Sequence, residues 1–109
     1  MDSHINEIES IEALDKVFAA SSDAPVLIFK HSTTCPISTS VFTAVREFSG
    51  IINLITVQTS RNLSNEVAAR TAVKHESPQA IVIKDGKAVY SASHFDVSVA
   101  DIERSIKDA

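Results

Sequence analysis

The stretch Val26-Leu27-Ile28-Phe29-Lys30-His31-Ser32-Thr33-Thr34-Cys35-Pro36-Ile37-Ser38 decides how this chain folds. Its first half is an apolar, β-branched run, the pattern of a buried strand. A short polar loop follows, ending in a cysteine with proline directly behind it. Proline suits the first position of a helix, because its φ is already helical and the N–H it lacks would find no partner there. Cys35 therefore falls at the N-cap, where unpaired N–H groups and the positive end of the helix dipole favour an anion. A thiolate is such an anion, and thiol pKa values fall at helix N-termini. Free cysteines are commonly inert, small core residues. Cys35 instead lies outside the apolar run, among Thr33, Thr34 and Ser38, and reads as a nucleophile.

Working outward, Asn6 to Ile8 reads as a short edge strand, and Ser10 as the N-cap of a helix to about Ala20 with Ile11, Leu14, Val17 and Phe18 at helical spacing. The strand Val26 to Lys30 comes next, then a helix from Pro36 to about Ser49 closed by Gly50 as its C′ residue. Ile51 to Val57 is a second buried strand, and Asn62 to Thr71 a third helix. After Ser77-Pro78, the run Ala80 to Lys84 turns at Asp85-Gly86, a strong hairpin signal, and returns as Ala88 to Ser93. Ser98-Val99-Ala100-Asp101 reads as a capping box opening a last helix. The order βαβαβαββα predicts a mixed α/β sheet: helical crossovers make the early strands parallel, and the Asp-Gly turn makes an antiparallel hairpin at the end.

Composition narrows the function. The 109 residues, 44% of them hydrophobic, are expected to form one domain, residues 1–109, with a core that needs neither disulfide nor structural metal. One cysteine makes no internal disulfide. The polar N-terminus lacks a signal-peptide core, and no segment approaches the roughly 18 apolar residues that span a bilayer, so a cytoplasmic protein without membrane contact is expected. Net charge is −4 with scattered basic residues, which argues against nucleic-acid binding. His4, His31, His75 and His94 have no metal-ligand spacing, and Cys35 has no CxxC partner, so no metal is expected. The sequence leaves the oligomeric state open.

This order of elements, with a cysteine opening the helix after the second strand, resembles a thioredoxin-like fold along essentially the whole chain. Cys35-Pro36-Ile37-Ser38 stands where thioredoxins carry Cys-x-x-Cys, Ser77-Pro78 matches the cis-proline loop, and Lys84-Asp85-Gly86-Lys87 matches the closing hairpin. The wording Thr34-Cys35-Pro36-Ile37-Ser38 closely resembles the active-site signature of the monothiol bacilliredoxins. That resemblance implies a thiol-disulfide oxidoreductase with bacillithiol, a low-molecular-weight thiol, as co-substrate rather than a tightly bound cofactor, and bacillithiolated client proteins as partners. Ser38 replaces the resolving cysteine, and Phe29 stands where thioredoxins bury an acid. The two losses agree, because without an internal resolving step no proton relay is needed.

The remaining roles are read from position, and the resemblance adds the cis bond. Ser38, one helical turn along, either donates a hydrogen bond to the Cys35 thiolate or is a tolerated polar residue of the first turn, and Thr33 and Thr34 either shape the substrate's approach or simply keep the loop solvated. The Ser77-Pro78 bond is expected to be cis, presenting the Ser77 backbone to substrate. His31 either lowers the thiol pKa as an imidazolium, takes a proton as a neutral ring, or is simply structural. Lys74 and His75 attract a ligand carboxylate or are solvated side chains, and His94 has no assigned role. Two other functions fit less well. Ser32-Thr33-Thr34-Cys35 echoes a peroxiredoxin's peroxidatic motif without that family's further segments, and a non-catalytic adaptor has no use for so well placed a thiol.

Overall fold

The computed structural model describes residues 4–109. Its elements are β1 (Ile5–Glu7), α1 (Ile11–Ala20), β2 (Val26–His31), α2 (Pro36–Val45), β3 (Ile52–Thr56), α3 (Arg61–Thr71), β4 (Gln79–Lys84), β5 (Lys87–Ser93), a 3-10 turn (His94–Asp96) and α4 (Val99–Asp108). The strands form one sheet in the order β1-β3-β2-β4-β5. β3 pairs in parallel with both β1 and β2. β4 runs antiparallel to β2 as well as to β5, a second antiparallel ladder beyond the hairpin. The segment between α3 and β4 brings the chain back to the C-terminal end of β2, where Gln79 pairs with Lys30. β4 therefore starts where β2 stops.

Strand alternation divides the core in two. Leu27 and Phe29 pack with Val41, Val45, Phe48, Leu54, Val82 and Ile102, beneath α2 and α4. Ile28 points the other way and packs with Leu14, Val17, Ile55, Leu63, Val67, Ile81 and Ile83, beneath α1 and α3. Burying each large apolar side chain contributes about 1.5–3 kcal/mol, so both faces of the central strands hold the sheet in register. The hairpin behaves as its residues demand: Asp85 and Gly86 both adopt positive φ, 55° and 75°.

Several boundaries differ from the sequence reading. β1 covers Ile5–Glu7 rather than 6–8, and α3 begins one residue earlier, at Arg61. Ser98 Oγ accepts the Asp101 N–H at 3.3 Å, but the Asp101 carboxylate pairs with Arg104 instead of closing a capping box. α2 stops at Val45, and Gly50 does not cap it. Past Val45 the chain tightens into turns, with Phe48 N–H donating to the Val45 carbonyl, and the Phe48 ring folds over Gly50. A Cβ at position 50 would sit 2.8 Å from that ring. Gly50 is there for close approach, not for a left-handed cap.

Candidate functional site

β2 ends at His31, and the next four residues carry the chain into α2. The Cys35 N–H donates to the Ser32 carbonyl at 3.3 Å, closing a turn, and the Cys35 carbonyl accepts the Thr39 N–H at 3.1 Å, the first helical bond. Cys35 occupies the N-cap in extended conformation, with Pro36 at the first helical position. It is a free, partly exposed thiol.

Gln58, in the loop between β3 and α3, ties down the loop that leads to Cys35. Its Oε1 accepts the Thr33 N–H at 3.1 Å, and its Nε2 donates to Ser32 Oγ at 2.7 Å and to Thr34 Oγ1 at 3.0 Å. One carboxamide thus fixes three consecutive loop residues. Thr33 and Thr34 remain exposed, as do Pro36 and Ile37, so this face is open to a substrate. The 3-10 turn packs against α2 and displays Phe95, an exposed aromatic.

Ser38 is fully buried, and its hydroxyl is committed elsewhere than the sequence predicts. Oγ accepts the Ser32 N–H at 2.9 Å and lies 2.8 Å from His31 Nδ1. Among the described residues its partners are these two, and not the Cys35 sulfur. The His31 ring is buried and packs beside Phe42, centroids 4.7 Å apart, with Phe29 stacked on Phe42 at 5.5 Å. Burial pushes the His31 ring below its ordinary value, so the neutral imidazole is the resting form. Of the roles read for His31, the cationic one loses its physical support.

The segment ahead of β4 reaches the same end of the sheet, where Gln79 pairs with Lys30. The Ser77-Pro78 bond is cis. Pro78 lies one residue beyond the Lys30–Gln79 pair, beside the end of β2, and its carbonyl accepts the His94 N–H at 2.9 Å. Ser77 Oγ is buried and has no partner among the described residues. Gln79 Nε2 donates to the Lys74 carbonyl at 2.9 Å, and Ser93 Oγ donates to Glu76 Oε1 at 2.7 Å. His94 Nδ1 stands 3.4 Å from the same carboxylate oxygen. Lys30, on the face of β2 opposite Phe29, is fully buried, and burial pushes its amine down to about 8.

Cys35, Thr33, Thr34, Pro36, Ile37, Ser38, His31, Ser77 and Pro78 are thus gathered at one end of the sheet. Gln58, Lys30 and Glu76 belong there too and were not singled out in the sequence. Lys30 had a signal, being a cation inside an apolar run; Gln58 had none. Among the described residues no three His, Cys, Asp or Glu side chains converge as metal ligands, and no helix is long and apolar enough to cross a membrane.

Solved structures agree with this architecture. A candidate oxidoreductase with a thioredoxin fold is 31% identical, with a TM-score of 0.84 over 94% of this chain and 93% of that one. A thioredoxin from Nicotiana alata (15% identity, TM-score 0.75, 99% and 94% covered) shares the fold. So does a mutant thioredoxin from Halobacterium salinarum (16%, 0.73, 98% and 91%). The fold is thioredoxin-like, and the chain is similar to oxidoreductases built on it. The family model described as monothiol bacilliredoxin BrxC matches residues 6–102. With its single thiol at the head of α2 and a buried serine where a resolving cysteine would stand, this chain belongs to the monothiol bacilliredoxin family.

Proposed function

We propose that the protein removes bacillithiol from mixed disulfides on cytoplasmic client proteins, using Cys35 as the only nucleophile. The observation that carries this reading is the pairing of a partly exposed Cys35 with a buried, doubly engaged Ser38. One thiol is presented, and no second one is available in the chain to resolve it.

The Cys35 thiolate attacks the bacillithiol sulfur of the client's mixed disulfide. A new S–S bond forms between Cys35 and bacillithiol, the client–bacillithiol S–S bond breaks, and the client leaves as a thiolate that takes a proton from water. The disulfide has been moved, with no net oxidation. A second small thiol then attacks the bacillithiol sulfur on Cys35, forming a low-molecular-weight disulfide and releasing the Cys35 thiolate. The sulfur at the head of α2 acts first as attacker and then as leaving group. The loop held by Gln58 keeps the sulfur in place, and the cis Ser77-Pro78 backbone is a suitable rail for an extended client segment. Ile37 and Phe95 are exposed and offer apolar surface.

Incubating purified protein with a bacillithiolated client and weighing both intact proteins tests this. One equivalent of client is expected to lose bacillithiol as Cys35 gains it, and further turnover is expected to need added thiol. Cys35→Ser is expected to abolish transfer. An unmodified Cys35 after the client has been reduced would refute the mechanism, and client capture by Cys35→Ser without any transfer in wild type would mark an adaptor instead.

A further inference from the structure

Lys30 is a buried cation for which the transfer chemistry has no use. Its Nζ donates to the Ser64 carbonyl at 3.0 Å and stands 3.2 Å from His75 Nδ1. Among the described residues no carboxylate neutralises it. An ammonium has protons to give and no lone pair, so the bond to His75 runs one way, with Nδ1 as acceptor. The ring proton is then on Nε2. Burial, with Lys30 and Arg61 close by, opposes protonation of His75, and Glu76 only partly offsets them. The ring at neutral pH is the neutral Nε2–H tautomer.

Among the described residues Nε2 has no hydrogen-bond partner, and the residue is only half-buried. His75 lies two residues ahead of Ser77-Pro78, in a segment pinned by Lys30 and by the Gln79 bond to the Lys74 carbonyl. Cations gather here, in a chain of net charge −4: Lys30 beneath, Lys74 next in sequence, and Arg61 at the head of α3. Glu76, the acid of this segment, is occupied by Ser93 and His94.

We propose that His75 Nε2–H, supported by Lys74 and Arg61, receives a carboxylate of the small-thiol co-substrate, with Lys30 as the positioning residue that fixes the tautomer. This rests on the transfer reaction proposed above and adds the feature by which the small thiol is recognised. A client's own acidic side chains carry the same chemistry, so the test separates the two sources.

The probes are two symmetric disulfides, that of mercaptosuccinate, a dicarboxylate, and 2-hydroxyethyl disulfide, which is neutral. In each case the Cys35 thiolate attacks, one half joins Cys35, and the other leaves as a thiolate. The rate of adduct formation is followed by intact mass against probe concentration. Wild type is expected to saturate at lower concentration with the dicarboxylate, against the repulsion expected from its net charge. His75→Leu is expected to erase about tenfold of that preference through the half-saturation concentration, and His75→Gln, which keeps a donor, to restore part of it. Long-range proton–nitrogen NMR of wild type is expected to place the His75 proton on Nε2, and Lys30→Met to mix the tautomers. The inference is overturned by an absent preference in wild type, by an unchanged preference in His75→Leu, or by a proton on Nδ1. It is overturned for the small thiol if His75→Leu instead erases a wild-type preference for acidic over neutral peptides carrying the same 2-mercaptoethanol adduct. Each of these results leaves the transfer reading standing so long as Cys35 still takes bacillithiol from a client, and failure of that transfer refutes the other reading alone.

Discussion

Ser38 Oγ and His31 Nδ1 lie 2.8 Å apart, joining the first turn of α2 to the last residue of β2. The same oxygen takes the Ser32 N–H at 2.9 Å, so a single buried hydroxyl stitches the strand, the loop and the helix that together hold Cys35. Ser38→Ala leaves the Ser32 N–H and the His31 ring nitrogen without their partner. The variant is expected to lose about 1–3 kcal/mol of unfolding free energy by urea denaturation. Its transfer rate is expected to fall as well, because the loop carrying Cys35 loses its anchor. An unfolding midpoint equal to wild type would show that water replaces the hydroxyl.

Gln58→Ala is expected to separate catalysis from stability. The three bonds it removes are exposed, and their loss costs the fold little. The loop before Cys35 loses its tether, and the single-turnover rate is expected to drop by about three- to tenfold with the melting temperature nearly unmoved. A rate equal to wild type would show that the turn closed by Cys35 N–H and the Ser32 carbonyl holds the loop unaided.

Lys30 gives stability a distinct pH dependence. Its amine titrates near 8 in the fold against 10.5 in the unfolded chain. Between these values the unfolded state binds more protons, so stability rises with pH; the gain is complete above the unfolded value and is lost as pH falls through the folded one. Urea midpoints measured from pH 8 to 9.5 are expected to climb in wild type and to flatten in Lys30→Met. The window stops short of 10 because burial raises the Tyr90 hydroxyl, which works in the opposite direction there. Equal slopes in the two proteins would show that Lys30 stays solvated.

Gly50→Ala places a methyl 2.8 Å from the Phe48 ring, which is itself packed in the core beneath α2. The ring must move, and the variant is expected to lose about 1–3 kcal/mol, read as a lower melting temperature. Gly50→Ala combined with Phe48→Leu is expected to cost less than the two changes summed.

The sequence foretold what short-range patterns control. The β-branched run of β2, the Cys35-Pro36 boundary and the Asp85-Gly86 turn are local statements, and each element formed where its own residues placed it. Gly50 misled because a glycine after a helix looks like a cap, whereas the ring two residues earlier requires it. Side-chain pairings were the hardest to read. Gln58 reaches Thr33 and Thr34 across two dozen residues, and the Ser38 hydroxyl has a choice of partners that only the packing of His31 against Phe42 resolves. The placement of Cys35 was local; the bonds that hold its loop are not.

The burial of position 38 also bears on ancestry. Exchanging Ser38 for cysteine would not by itself return the chain to a two-thiol enzyme. Sulfur is a weak acceptor, so the Ser32 N–H and the His31 ring would be poorly served. The new thiol would also sit fully enclosed, beside a strand that carries Phe29 in place of a proton-handling acid. At least the hydroxyl's two partners and the aromatic layer would have to change together. The single-thiol state is thus set by the packing around position 38 as well as by the residue that fills it.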